Sequence, residues 1–205
     1  MATAPARHFA PFHKWDRNFF LILLLAIWIA ILGGFGLDMA RRAMAGRLSF
    51  PWIVHVHALA FTGWLLLFAA QVLLVRTRNV ALHRKLGLAA LLLLPMMLLL
   101  GPATVIVLNT ADQAAPPEQL SFMSTQLTNV LGSAALLAAG LLSRRDPTAH
   151  KRLMLAVGGH DLVTRGRVHP AWTAAFLWVV CNEITATWLF YRPFWLRAMQ
   201  ALTGH

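Results

Sequence analysis

Short basic clusters divide the chain into apolar stretches at residues 19–37, 50–75, 86–108 and 120–142. Each is long enough to cross about 30 Å of hydrocarbon at roughly 1.5 Å per helical residue. A fifth stretch, residues 171–191, has the length but holds Asn182 and Glu183 near its middle. A backbone in hydrocarbon must satisfy its own polar groups, so runs of this length fold as helices. The expected fold is an all-α integral membrane helical bundle, a single domain over residues 1–205. Composition agrees, with 59% hydrophobic and 12% charged residues where a soluble domain carries about a quarter charged.

Residues 153–163 are too short to span, covering roughly 17 Å of helix. They include Gly158, Gly159, His160 and Asp161 and lie between Arg152 and Arg165. A re-entrant or interfacial short helix over about 147–163 leaves five full spans; six spans is the alternative. The first stretch exceeds the apolar core of a signal peptide, and Arg41 and Arg42 separate it from the small residues at Ala43-Met44-Ala45. An uncleaved first span is expected.

Eighteen Lys and Arg against seven Asp and Glu give a net charge of +11. Nucleic acid binding needs a basic face on a water-exposed body, which this chain hardly has. Read as topology, thirteen of the cations fall on the side of the N-terminus and five on the other, with either span number. That asymmetry predicts a cytoplasmic N-terminus in a bacterial inner membrane. The partners expected are the lipid bilayer and either further membrane subunits or a second copy of the chain. Cys181 is the single cysteine, so neither an internal disulfide nor a Cys-based metal site forms within one chain.

The chain repeats at an offset of 67 residues: Arg78-Asn79-Val80-Ala81-Leu82-His83-Arg84-Lys85-Leu86 aligns with Arg145-Asp146-Pro147-Thr148-Ala149-His150-Lys151-Arg152-Leu153. Asn79 and Asp146 are good N-cap residues, and Pro147 suits a first helical position. His83 and His150 therefore fall one turn into equivalent helices. The positive end of a helix dipole favours the neutral imidazole that ligates metals. The two rings are the candidate axial pair for a haem b or another metal ion, with Arg84, Lys85, Lys151 and Arg152 as candidate partners for propionates. The competing reading is a pair of basic membrane anchors on lipid phosphates. His57 and His160 are further candidate metal ligands. His55 and His57 point about 200° apart on a helix, so one at most faces the bundle interior.

Ionisable groups in a span normally face a partner or a cavity. By helical rise, Glu183, Asn129, His57 and Gln126 lie at similar depths, a set suited to proton relay, cation binding or a haem edge. The competing reading is a helix-packing hydrogen bond. Most of the eight tryptophans fall near span ends, as interfacial belts do. Pro95 and Gly101-Pro102 are expected to kink the third span and free backbone carbonyls.

His55-Val56-His57 with Phe61, Trp64 and Gln71, Leu82-His83-Arg84-Lys85-Leu86-Gly87, His150-Lys151-Arg152-Leu153-Met154 and the run from Asp161 to Pro170 together resemble a family of bacterial multi-pass membrane proteins of unknown function. The family pattern has a longer hydrophobic region before the Asp161 motif, so the second half looks shortened. Histidines repeated on a small bundle are also loosely similar to cytochrome-b-like haem-binding proteins, which implies electron transfer. The functional expectations are a haem-binding or redox-associated membrane protein, a non-catalytic subunit or assembly factor, or a small proton-coupled carrier using Glu183. No HExxH, nucleophile elbow or phosphate-binding glycine loop marks an enzyme.

Overall fold

The computed structural model describes residues 13–112, 116–155 and 158–205. These form α1 (Asp16–Met44), α2 (Trp52–Arg76), α3 (Val80–Gly87), α4 (Ala90–Ala111), α5 (Pro117–Leu142), α6 (Pro147–Leu155), α7 (Gly158–Arg165), α8 (Pro170–Phe190) and α9 (Pro193–Thr203). The chain is an all-α bundle with five helical segments long and apolar enough to cross a membrane: α1, α2, α3 with α4, α5 and α8. They lie in a row in the order α1, α2, α4, α5, α8, and α5 carries the most extensive packing, against α4, α6, α8 and α9.

The single short helix expected over 147–163 is instead two, α6 and α7, with residues 156–157 outside the described set. They gather at one end of the bundle with the start of α1 and with α3, where the basic residues cluster; this is called here the basic end. At the far end α9, which the sequence pattern did not announce, folds back on α4 and α5. Its Trp195 Nε1 donates to the Ser121 carbonyl at 3.2 Å, and Met199 joins Leu120 and Met123 in a buried cluster. Trp195 is thus a packing residue of the far end rather than part of an interfacial belt. Gly204 ends α9 at φ 77°, a left-handed conformation that costs glycine nothing.

Between apolar helices in lipid, close packing and hydrogen bonds do the work that water does elsewhere. The α5–α8 contact has both. The Trp178 indole donates to the Gly132 carbonyl at 3.0 Å, and Asn182 Nδ2 donates to Asn129 Oδ1 at 2.8 Å. A Cβ on Gly132 would sit 2.8 Å from Asn182 Cγ. Gly132→Ala is therefore expected to destabilise the bundle by about 1–3 kcal/mol, the usual cost of overpacking. Gly34→Ala, on an exposed stretch of α1 with nothing within 4 Å, should be neutral or slightly stabilising. Apparent unfolding midpoints in detergent check both.

Candidate functional site

The two repeated motifs start α3 and α6 in the same way. Asn79 Oδ1 accepts from the Leu82 N–H at 3.1 Å. Asp146 Oδ1 accepts from the N–H groups of Thr148 and Ala149 at 2.8 and 3.2 Å. Each cap satisfies donors that a helix start leaves orphaned. His83 and His150 follow as the fourth residue of their helices, and their rings meet with centroids 6.4 Å apart and planes at 80°.

Backbone and amide groups fix the protonation pattern of this pair. His150 Nδ1 lies 2.7 Å from the Gly140 carbonyl oxygen. A carbonyl only accepts, so the neutral ring carries its proton on Nδ1 and has a lone pair on Nε2. Gln71 of α2 turns its amide oxygen to the Gly87 N–H at 3.1 Å. Its amide nitrogen then donates to the His83 carbonyl at 3.1 Å and to the His83 ring Nδ1. His83 Nδ1 is an acceptor in that arrangement, and the proton of the neutral ring is on Nε2. With the Gln71 amide so oriented, neutral rings at the two positions hold opposite tautomers. Gly140 makes the contact possible, since a Cβ there would fall 2.6 Å from Met154 Sδ and 3.0 Å from its Cγ.

Beside the pair lies an ionic lattice that joins α1, α6 and α7. Arg152, buried, forks onto Asp161 with Nη2 2.8 Å from Oδ1 and Nε on Oδ2, and its Nη1 donates to the Thr148 carbonyl at 2.7 Å. Arg165 bridges Asp161 Oδ1 at 3.0 Å and Asp16 Oδ2 at 2.8 Å. Asp16 also takes Lys151 Nζ and His160 Nε2, both at 2.8 Å. The His160 ring stacks on Phe19 with centroids 4.1 Å apart. Burial draws the Lys151 ammonium down from the usual lysine range, and its bond to Asp16 opposes that.

This lattice redistributes the residues expected at a cofactor. Lys151 and Arg152 are bound to carboxylates, and His160 belongs to the Asp16 group rather than to the histidine pair. Arg84 and Lys85 are exposed on α3. Asp16 was not singled out in the sequence, and Asp161 was marked there only as part of a motif, not as an ion-pair partner. The spacing of Asp161 and Arg165, four apart on a helix, was the available signal.

Toward the far end, a cleft of about 350 Å³ runs between α2, α4 and α5. His57, Phe61, Trp64 and Gln71 share one face of α2 by their spacing; Phe61 and Trp64 line the cleft. Leu137 lines it from α5, one helical turn from Gly140. His57 stacks on Phe61 with centroids 4.2 Å apart. Its Nδ1, with Thr104 Oγ1 and Ser124 Oγ, is buried and has no hydrogen-bond partner among the described residues. His55 is exposed. Asn129 meets Asn182, not Glu183: Glu183 is exposed on α8 and Gln126 exposed on α5. Among the described residues, no group of three or more His, Cys, Asp or Glu is placed to hold a metal ion.

Comparison of the chain with protein-family models, with curated proteins and with solved structures finds no match.

One histidine beside the lattice couples local structure to pH. His169 Nδ1 caps α8 by accepting from the Ala171 N–H at 3.1 Å, and its Nε2 lies 3.2 Å from Thr148 Oγ1. Burial, then the Arg152 charge, hold the ring below the ordinary histidine value of 6.5. Folding therefore favours the neutral ring. The stability this gives is fully present above about pH 6.5 and is lost as the pH falls from there toward the folded value. The apparent melting temperature should fall between about pH 8 and 5, and less steeply in His169→Asn, which caps without titrating. Equal slopes in the two proteins would remove this role.

Proposed function

We propose that this multi-pass membrane protein handles protons, with His83 and His150 as the working pair at the cytoplasmic, basic end. The observation that carries the reading is the meeting of two imidazoles, 67 positions apart in sequence, one on the Gly140 carbonyl and the other on the Gln71 amide, partners that favour opposite tautomers. His150 is the accepting station. A proton taken on its Nε2 leaves Nδ1–H on the Gly140 carbonyl, so the imidazolium keeps its anchor. His83 is the donor, with its proton held on Nε2 by the Gln71 amide. The 6.4 Å between centroids suits a bridging water. As the His83 Nε2 proton passes through that water to His150 Nε2, Gln71 turns its amide and His83 Nδ1 takes a proton from water at the basic end, which leaves His83 as the other neutral tautomer and His150 as an imidazolium. The Gly87 N–H, at the α3–α4 junction, then loses its acceptor.

The shared face of α2 supports a route onward, since Gln71 and His57 stand about 21 Å apart along the helix. The orphaned buried polar atoms of His57, Thr104 and Ser124 are the kind that internal water satisfies. The proton-coupled reading thus rests on histidines. Glu183, exposed on α8, does not enter it.

The separation of the rings also favours a second reading, in which His83 and His150 hold a haem b or single metal ion. Two metal–nitrogen bonds of about 2.0 Å each fit within the 6.4 Å between centroids, and a ligating histidine commonly donates its other N–H to a carbonyl, as His150 does. On the His83 side the Gln71 amide must turn over. Arg84 and Lys85 remain for propionates. Bound there, such a group would supply one-electron chemistry.

Vesicles holding the purified protein and an entrapped pH dye separate the two. A colourless protein that collapses an imposed pH gradient several-fold faster than its His150→Ala and His83→Ala variants supports the relay. A gradient that decays at the rate of protein-free vesicles rejects it. A visible Soret band shifting on reduction, lost in both variants, supports the metal reading.

A further inference from the structure

We propose that the cleft between α2, α4 and α5 binds the ring of a lipid-soluble quinone or quinol. The inference stands on the cleft alone and does not depend on how the histidine pair works. At about 350 Å³ the space is near the lower end for small-molecule sites, which run from about 300 to 1,000 Å³. It takes one substituted ring and leaves a long apolar tail outside. The cleft offers such a tail a way out: Ser133 on its wall is exposed on the lipid-facing side of α5.

The walls match both faces and edges of an oxygenated ring. Phe61 and Trp64 supply aromatic surface, and aromatic pairs prefer stacked or edge-to-face contacts. Asn129 spends its Oδ1 on Asn182 at 2.8 Å, and its own amide nitrogen has no partner among the described residues. That leaves two N–H donors for a ring carbonyl. Ser133 adds a hydroxyl on the same wall, one helical turn away. On α4, Pro102 has no N–H, so the Leu98 carbonyl four residues earlier lacks its helical donor. Leu98 lines the cleft, and its carbonyl suits a quinol hydroxyl. Unsatisfied donors and a freed acceptor around an apolar, laterally open space select oxygen-bearing rings over plain acyl chains.

The test uses the full chain in nanodiscs, titrated with a decyl-substituted benzoquinone. The fluorescence difference between wild type and Trp64→Phe isolates the cleft tryptophan from the others. The expected result is a saturable quench of that difference signal, weakened at least tenfold in Asn129→Leu and several-fold in Ser133→Ala. Because Asn129 also packs α8, Ser133→Ala, at an exposed position, stands as the variant that keeps the fold. A difference signal that rises linearly without saturating would mean bilayer partitioning only. Saturable binding left unchanged in Ser133→Ala and competed equally by decylbenzene would mean a generic apolar groove. Either outcome overturns the proposal.

Discussion

Two buried carboxylates hold the basic end together. Asp16 begins α1 and Asp161 lies in α7, and between them they take Lys151, Arg152, His160 and Arg165. α7 is a helix of 8 residues that has little apolar surface to bury, and most of α1 beyond its first turns is exposed. Ion pairs therefore do the docking that packing cannot. Removing one partner from a buried pair typically costs about 3–5 kcal/mol, because the other charge is left uncompensated. Arg152 is the hinge of the arrangement: its guanidinium closes on Asp161 and on the Thr148 carbonyl of its own helix.

What depends on this lattice is the seating of α6. Held from one side by Arg152 and Lys151, α6 lies against α5 at Gly140, where the lack of a side chain admits Met154. That approach brings His150 onto the Gly140 carbonyl and toward His83. α3 is placed from the other side, through Gln71 of α2. The imidazole pair is thus the meeting point of two short capped helices, each referenced to a different long one. The lattice charges frame the pair, while the Gly140 carbonyl and the Gln71 amide that meet its rings are neutral groups.

Much of this was legible in the sequence. The apolar runs gave five long helices, and the repeated Leu82-His83-Arg84-Lys85 and Ala149-His150-Lys151-Arg152 motifs pointed to equivalent histidines at one end. Hydropathy marks a span by its length, which sets its ends. It does not set the facing of a helix that is apolar all round. α8 is such a helix, so depth alone put Glu183 beside Asn129, whereas the neighbour that meets Asn129 is Asn182. Asp16 escaped notice for a related reason. A charge just before a span reads as solvated until a distant segment covers it, and its partners lie some 135 to 149 positions away. The cleft was foreshadowed in pieces, by Phe61 and Trp64, by Asn129 and by the carbonyl that Pro102 frees, which needed the packing of α2, α4 and α5 to bring them to one space.

If His83 and His150 exchange a proton as proposed, their neutral rings carry it on different nitrogens. Nitrogen-15 NMR of the histidine-labelled protein in nanodiscs at neutral pH reads this directly, with His83→Gln and His150→Gln giving the assignments. The expected spectrum has one ring protonated at Nε2, assigned to His83, and one at Nδ1, assigned to His150. Two rings of the same tautomer, or both as imidazolium, would contradict it.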